Sequence, residues 1–357
     1  MLQPEIDLGE LTALLEEWAG GTVGNISQFA NGQVSSVFRF DILGDFRKVL
    51  KDVDPDASSG KYVIRLVAHG YGEGVKKDRF IAPRAAAVGV PTPRTVKFGE
   101  VSMKVRNLTE EDLTKHTADN FPLAYAICDL MPGKHMDELA DEDRRHLVPA
   151  AVEMMDRISL IDISDTTGYG WFDGQGYGQH GSWAEYVAEE AFSRDVGGLY
   201  QRRRDWFDDR NGFLEAEVFE YFSDRMMSLV EGLPEIERSV IHIDFGYDNT
   251  LVIGDKVSAV LDWDNSIIGD HLYDGARTEL YAAEIDFKSL FVDRYTETGR
   301  EVTNLDVRWL VCELHVGLQA LQWYGRSNNE PAYHWMKGRM LNVMGEGPPV
   351  GRHPSSF

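Results

Sequence analysis

Ile241-His242-Ile243-Asp244-Phe245-Gly246-Tyr247-Asp248-Asn249, continuing through Thr250-Leu251-Val252-Ile253-Gly254-Asp255-Lys256-Val257-Ser258-Ala259-Val260-Leu261-Asp262-Trp263-Asp264, is the stretch on which the fold turns. It reads as a polar loop, a short β-branched strand, a tight turn and a second strand that ends on an acid. The apolar runs 250–253 and 257–261 flank Gly254-Asp255-Lys256. A turn centred between Asp255 and Lys256 sets Asn249 opposite Asp262, with Asp244 one loop away. Two oxygen ligands side by side and a third carboxylate nearby form the donor set that a hard cation and a phosphoryl group require.

Outward from this hairpin, composition sets the limits. A chain of 357 residues is long for one core, so two lobes are expected. Hydrophobic content of 43% is ample for packing. The 59 acidic against 36 basic side chains give a formal charge of -23, which argues against nucleic acid or an anionic membrane surface as partner. Such acidity suits a cationic small-molecule substrate, and equally general solubility or adaptation to salt. Only Cys128 and Cys312 occur, so a disulfide framework is not expected. The start lacks a basic and apolar leader and no apolar run reaches the ~18 residues of a membrane span. The expected compartment is the cytoplasm; oligomeric state is not legible.

Along the chain, residues 8–19 have helical spacing and stop at Gly20-Gly21. Strands are expected on either side of Asn31 to Ser36, over 62–67, and around 94–98 and 123–130. A helix is expected over 75–87, with Pro83 placing its extent in question. The first part therefore reads as an antiparallel sheet with one helix, ending at Met131-Pro132-Gly133. Beyond it, helical patterns cover 137–163, the stretch from 182, 214–231, 270–295 and 305–324, while the Gly-rich 168–181 is expected to be an ordered loop. The expected division is a lobe of residues 1–131, a second lobe of 132–344, and a loose tail of 345–357 containing three prolines.

His242-x-Asp244-x4-Asn249, followed by a hairpin ending in Leu261-Asp262-Trp263, resembles the aminoglycoside phosphotransferase family of kinase-like enzymes. Lys77-Asp78-Arg79 before Val90-Pro91-Thr92-Pro93, the hinge-like Ala126 to Gly133, the Gly-rich Thr167 to Gln179 with Trp183, and Gly269-Asp270 to Asp274 carry the same resemblance, over roughly residues 25 to 325. It implies an α+β, two-lobed, protein-kinase-like fold, with an N-terminal antiparallel β-sheet lobe and a larger, mainly helical C-terminal lobe. It also implies an ATP-dependent transfer (GTP being the alternative) assisted by Mg2+. Asp244 then matches the catalytic carboxylate, which accepts the attacking hydroxyl's proton. Asn249 and Asp262 match the metal ligands, and His242 a support of the loop backbone. Ile243 stands where such enzymes commonly have Gly.

By the same resemblance, Arg65 stands where kinases keep a phosphate-holding lysine, and a guanidinium grips two phosphate oxygens at once. Asp78 is the acid expected to steady Arg65, with Glu73 as competitor. Ser35 and Ser36 belong to the expected flap over the phosphates, and the carbonyl of Asp129 and amide of Met131 are expected to hold the adenine edge. A polycationic acceptor calls for carboxylates: Asp264 and Glu279 are the candidates, followed by Asp205, Asp208 and Asp209. Asp270 and Asp274 are expected to brace the loop. The rival readings are a kinase for choline, a macrolide or a ketosamine, a non-catalytic nucleotide-binding regulator, and a metal-dependent hydrolase built on His242 and Asp244.

Overall fold

The computed structural model describes residues 4–29, 35–68, 72–108, 116–189, 212–246, 248–282, 284–351 and 353. Its first part is built on β3 (Lys61–Ala68), whose β-branched and aromatic residues suit a strand covered on both faces. β3 lies at the centre of a five-stranded antiparallel sheet, in the order β1 (Val23–Gln28), β2 (Ser36–Ile42), β3, β5 (Phe121–Asp129), β4 (Thr95–Met103). On one face, Tyr62, Ile64 and Leu66 share a core with Leu11 and Leu15 of α1 (Leu8–Ala19), which Asp7 caps through the amides of Gly9 and Glu10. On the other face, Val67, Ala124 and Ala126 pack on Val75 of α3 (Gly72–Ala87). A single turn, α2 (Phe46–Val49), lies in the polar excursion between β2 and β3. Helix α3 runs through Pro83 without stopping. Ile81, Ala82 and Ala85 around that proline are buried, and their packing offsets its missing hydrogen bond.

The chain leaves the sheet at 130–133 and enters β6 (Lys134–His135), which pairs with β10 (Thr250–Ile253). With β11 (Lys256–Val260) these make a three-stranded sheet. The larger hydrophobic core belongs to the helices that follow: α4 (Asp141–His146), α5 (Val148–Ser159), α6 (Trp183–Glu189), α7 (Ala216–Val230), α8 (Tyr273–Tyr281), α9 (Phe287–Thr298), α10 (Leu305–Arg326) and α11 (Glu330–Val343). Cys312 is buried in α10, and Cys128 of β5 is partly covered beside Thr95; both are free thiols. No helix among the described residues is long and apolar enough to cross a membrane.

Several expectations are corrected here. Residues 137–163 are not one helix: Pro149 sits in the first turn of α5, where its missing N–H costs nothing, and the chain restarts there after α4. Helix 270–295 likewise breaks before α9, whose N-terminus Asp286 caps through the Ser289 amide. The Gly-rich 168–181 forms a hairpin, β7 (Tyr169–Phe172) with β8 (Gly178–His180), and β7 joins β12 (Ile267–Gly269), which in turn pairs with β9 (Ser239–Ile241). Glycine makes the hairpin feasible, since a Cβ on Gly170 (φ 74°) would lie 2.4 Å from the Tyr186 ring. The tail packs as far as 353: Trp335 Nε1 donates to the Gly351 carbonyl at 2.7 Å, and the His353 ring lies 4.6 Å from that of Trp335.

The register of the opening hairpin is also corrected. Thr250 pairs with Val260 and Leu251 with Ala259, but Val252 pairs with Val257 and Ile253 with Lys256. The turn is therefore Gly254-Asp255, and a bulge at Ser258 takes up one residue, its hydroxyl turned to the Pro132 carbonyl at 2.7 Å. Asn249 consequently faces Leu261, whose amide donates to the Asn249 carbonyl at 2.9 Å, and not Asp262.

Candidate active site

The loop after β9 is held at its backbone. Asp274, in the first turn of α8, accepts from the amides of His242 and Ile243, both at 2.8 Å. Burial raises the Asp274 pKa even though these amides favour its charge. His242 Nε2 lies 2.8 Å from the Leu261 carbonyl, tying the loop to the end of β11. Ile243 adopts φ 63°, a left-handed conformation that β-branched residues avoid. These contacts present Asp244 half-buried. Its Oδ1 accepts from Arg277 Nη2 at 3.1 Å and its Oδ2 from Asn249 Nδ2 at 3.2 Å. The Asn249 side-chain nitrogen is thus turned to Asp244, which leaves the side-chain Oδ1 as the donor atom for a ligand. Asp248, on the exposed side of the loop, has its pKa raised by burial and then by the Asp244 charge.

From the sheet, β3 delivers Arg65. Its guanidinium lies 3.1 Å from Asp78 and 3.4 Å from Asp262, and forms a two-pronged contact with Asp264. Three carboxylates around one cation leave an acidic excess. Burial and the neighbouring Asp264 charge push Asp78 up to about 8, and burial likewise raises Asp264. Asp262 sits in a left-handed conformation (φ 61°) just before a 3-10 turn, Trp263–Asn265, which Asp78 caps through the Trp263 amide at 3.2 Å. Among the described residues no three His, Cys, Asp or Glu side chains are grouped so as to hold a metal ion by themselves; Asn249 and Asp262 offer oxygen donors, the ligand chemistry of a hard divalent cation.

The structure thus brings together Asp244 with Asn249, and Arg65 with Asp78, Asp262 and Asp264. It corrects the placements of Ser36 and Glu279. Ser36 is fully buried and its hydroxyl is bonded to the Pro4 carbonyl, so it is turned away from any phosphate. Asp264 is engaged with Arg65. Glu279 lies on the face of α8 away from Arg277, where its carboxylate accepts from the Lys288 amide at 2.7 Å. Ser35 precedes β2 and is half-buried. Asp129 ends β5, its carboxylate 3.1 Å from Arg94, which also grips Asp54 at 2.7 Å. Met131 follows in the crossing segment. The expected flap residues 31–34 and the acids Asp205, Asp208 and Asp209 lie outside the described residues, as does the side chain of Glu73.

Two residues escaped the sequence reading. Lys77 is buried, its ammonium donating to the carbonyls of Asp264 and Ser266 and lying 4.7 and 4.6 Å from the rings of Trp171 and Phe172. Arg277 reaches Asp244 from α8. Its signal was its position three residues after Asp274, which puts both on one face of a helix.

An antiparallel sheet with its own core, followed by a mainly helical part that carries a braced aspartate on a loop, is the two-lobed, kinase-like architecture. A model of the phosphotransferase enzyme family matches residues 26–306, and the chain belongs to that family. It is a small-molecule kinase. Among characterised proteins it is similar to the hygromycin-B 4-O-kinase of Escherichia coli, 26% identical over 276 residues, which are 77% of this chain and 67% of that enzyme. Its fold is that of the aminoglycoside phosphotransferase APH(4)-Ia, seen in a ternary complex with ADP and hygromycin B (TM-score 0.69, 23% identity, 96% of this chain and 100% of that one). A putative fructosamine-3-kinase from Haemophilus somnus shares it more distantly (TM-score 0.57, 13% identity, 94% and 96%).

Proposed function

We propose that this chain is an ATP-dependent O-phosphotransferase that inactivates an aminoglycoside or aminocyclitol antibiotic, hygromycin B before others, and so confers resistance in the cytoplasm. The observation that carries the reading is the Asp244 carboxylate, held at both oxygens on a loop that His242 ties to the end of β11, just before the acids Asp262 and Asp264 that engage Arg65. Similarity to a hygromycin-B 4-O-kinase supports the acceptor class.

In this reading residues 1–131 form the nucleotide lobe and 132–344 the acceptor lobe, with the backbone of Asp129 and Met131 at the adenine. Asn249 and Asp262 would hold Mg2+, which when bound screens the charge of the phosphates. Arg65 exchanges part of its carboxylate contact for phosphate oxygens, with Asp78 keeping it in place. Asp244 orients the acceptor hydroxyl and takes its proton as the new O–P bond forms and the bond to the leaving ADP breaks. Acidic surface beside Asp244, Asp248 above all, draws the polycation in.

ATP turnover by the purified protein, measured against a panel of aminoglycosides with choline, a macrolide and a ketosamine as further arms, tests this. Stimulation by aminoglycosides is expected, and Asp244→Asn should lower kcat by about 10²–10⁴-fold. Stimulation by none of the aminoglycosides would sink the acceptor assignment; an unchanged Asp244→Asn rate would sink the role of Asp244.

A further inference from the structure

We infer that Arg277 is a positioning residue for the reaction: it fixes the orientation of the Asp244 carboxylate, working with Asn249 from the opposite side. The inference rests on the reading of Asp244 as the group that receives the acceptor hydroxyl. A carboxylate on a loop rotates about its terminal bond unless both oxygens are held. Here Arg277 Nη2 takes Oδ1 at 3.1 Å, Asn249 Nδ2 takes Oδ2 at 3.2 Å, and Asn249 also donates to the Asp244 carbonyl at 3.0 Å. Each carboxylate oxygen accepts two hydrogen bonds, so a site for the incoming hydroxyl remains.

Arg277 is itself held. Its guanidinium lies over the Tyr281 ring at 5.4 Å, and Tyr281 stacks on Trp335 of α11 at 6.3 Å with 19° between the planes. His353 contacts the Tyr281 ring at 5.9 Å and accepts or donates a hydrogen bond with the Tyr324 hydroxyl at 2.8 Å. A packed stack thus runs from the C-terminal segment through α11 and α8 to the reacting carboxylate. Burial opposes the charge of Arg277, but Tyr281, Asp244 and Asp274 around it outweigh that and raise its pKa, so it stays a cation. Helix α8 grips the loop at two levels one turn apart, its Asp274 on the backbone of His242 and Ile243 and its Arg277 on the side chain of Asp244. The same charge also acts on Asp248, opposing the upward push of burial and of the Asp244 charge on its pKa.

Three variants in the full chain test it: Arg277→Gln, Arg277→Met and Arg277→Lys. With the acceptor that stimulates the wild type, Gln and Met should lower kcat by about 10- to 100-fold, the cost of a misplaced reacting group, and leave KM for ATP within about twofold. Lysine, which keeps the charge and one donor, should recover most of the loss. An unchanged kcat in the Gln variant overturns the inference. So does a kcat, ATP KM and urea midpoint that all fall together without rescue by lysine, because that pattern is a purely structural role. A second measurement needs no acceptor: a double-mutant cycle of Arg277→Gln with Asp244→Asn, read in the unfolding equilibrium. A coupling of about fivefold or more is expected, and additivity overturns the contact. A wild type that no acceptor stimulates overturns the proposed function alone, and the cycle still decides the Arg277–Asp244 link.

Discussion

Ile243 holds the loop in a backbone shape that costs an L-residue about 1–2 kcal/mol, and a branched Cβ makes it worse. The side chain is nonetheless buried in the main core, which explains how it is tolerated. Burial and strain can be separated by truncation. Ile243→Ala and Ile243→Gly both remove the packing, but only glycine is free of the left-handed penalty. The glycine variant should therefore be the more stable of the two, by about 1 kcal/mol in urea unfolding; an alanine variant as stable as glycine would show that the strain is absent. The residue scale is also where the sequence was most legible. Asp244, Asn249 and His242 stand out by identity and spacing, and the structure sets Asn249 on Asp244 and His242 on the Leu261 carbonyl. Ser36 and Glu279 misled because a side chain's direction is decided by which face its element turns inward, and neither is written in a single residue.

Helix α3 and the 3-10 turn Trp263–Asn265 meet with almost no space between them. A Cβ on Gly74 would lie 2.3 to 2.4 Å from the Asp264 carboxyl, which Arg65 prevents from swinging aside. Glycine to alanine inside a helix ordinarily gains about 1 kcal/mol. Here Gly74→Ala should instead lower the melting temperature and raise KM for ATP several-fold, because it pushes Asp264 and Arg65 out of register. Enzyme assay and thermal melt check this together, and a stabilised variant with unaltered KM would contradict the close approach. Elements themselves were legible where one pattern dominated: β3, β5, α1, α7 and α10 fall close to their expected limits, while β4 runs on to Met103. Helix breaks before α5 and α9 were not, because apolar periodicity continues across them and only Pro149 and Asp286 mark the restart. The bulge at Ser258 was illegible for a different reason. The partner of the Ser258 hydroxyl there is a carbonyl, that of Pro132, more than a hundred residues away in sequence.

At the scale of the whole molecule, the surplus of acid reaches the interior. Glu313 of α10 is buried, its Oε1 without a hydrogen-bond partner among the described residues. It faces Glu279 of α8, Arg339 of α11 and Lys288 of α9, and burial first, then the Glu279 charge, pushes it up to about 8. A carboxyl whose folded pKa is raised stabilises the fold while protonated in both states. That contribution is full below about 4.5 and is lost as pH rises through about 8. Stability of the wild type should therefore fall between those limits, by up to about 1.4 kcal/mol per pH unit from this group. Glu313→Gln should flatten the slope in urea unfolding at pH 5.5, 7 and 8.5, and parallel slopes would reject the assignment. The two free thiols have a consequence of another kind. Burial pushes Cys128 up to about 12 and raises Cys312 well above the ordinary thiol range, so neither supplies a thiolate at neutral pH. The wild-type sequence is already a silent background for thiol labelling. A cysteine placed at exposed Ile253 on the hairpin tip and another at exposed Leu43 beyond β2 would take probes alone, and the distance between the two sheets could then be read with and without nucleotide.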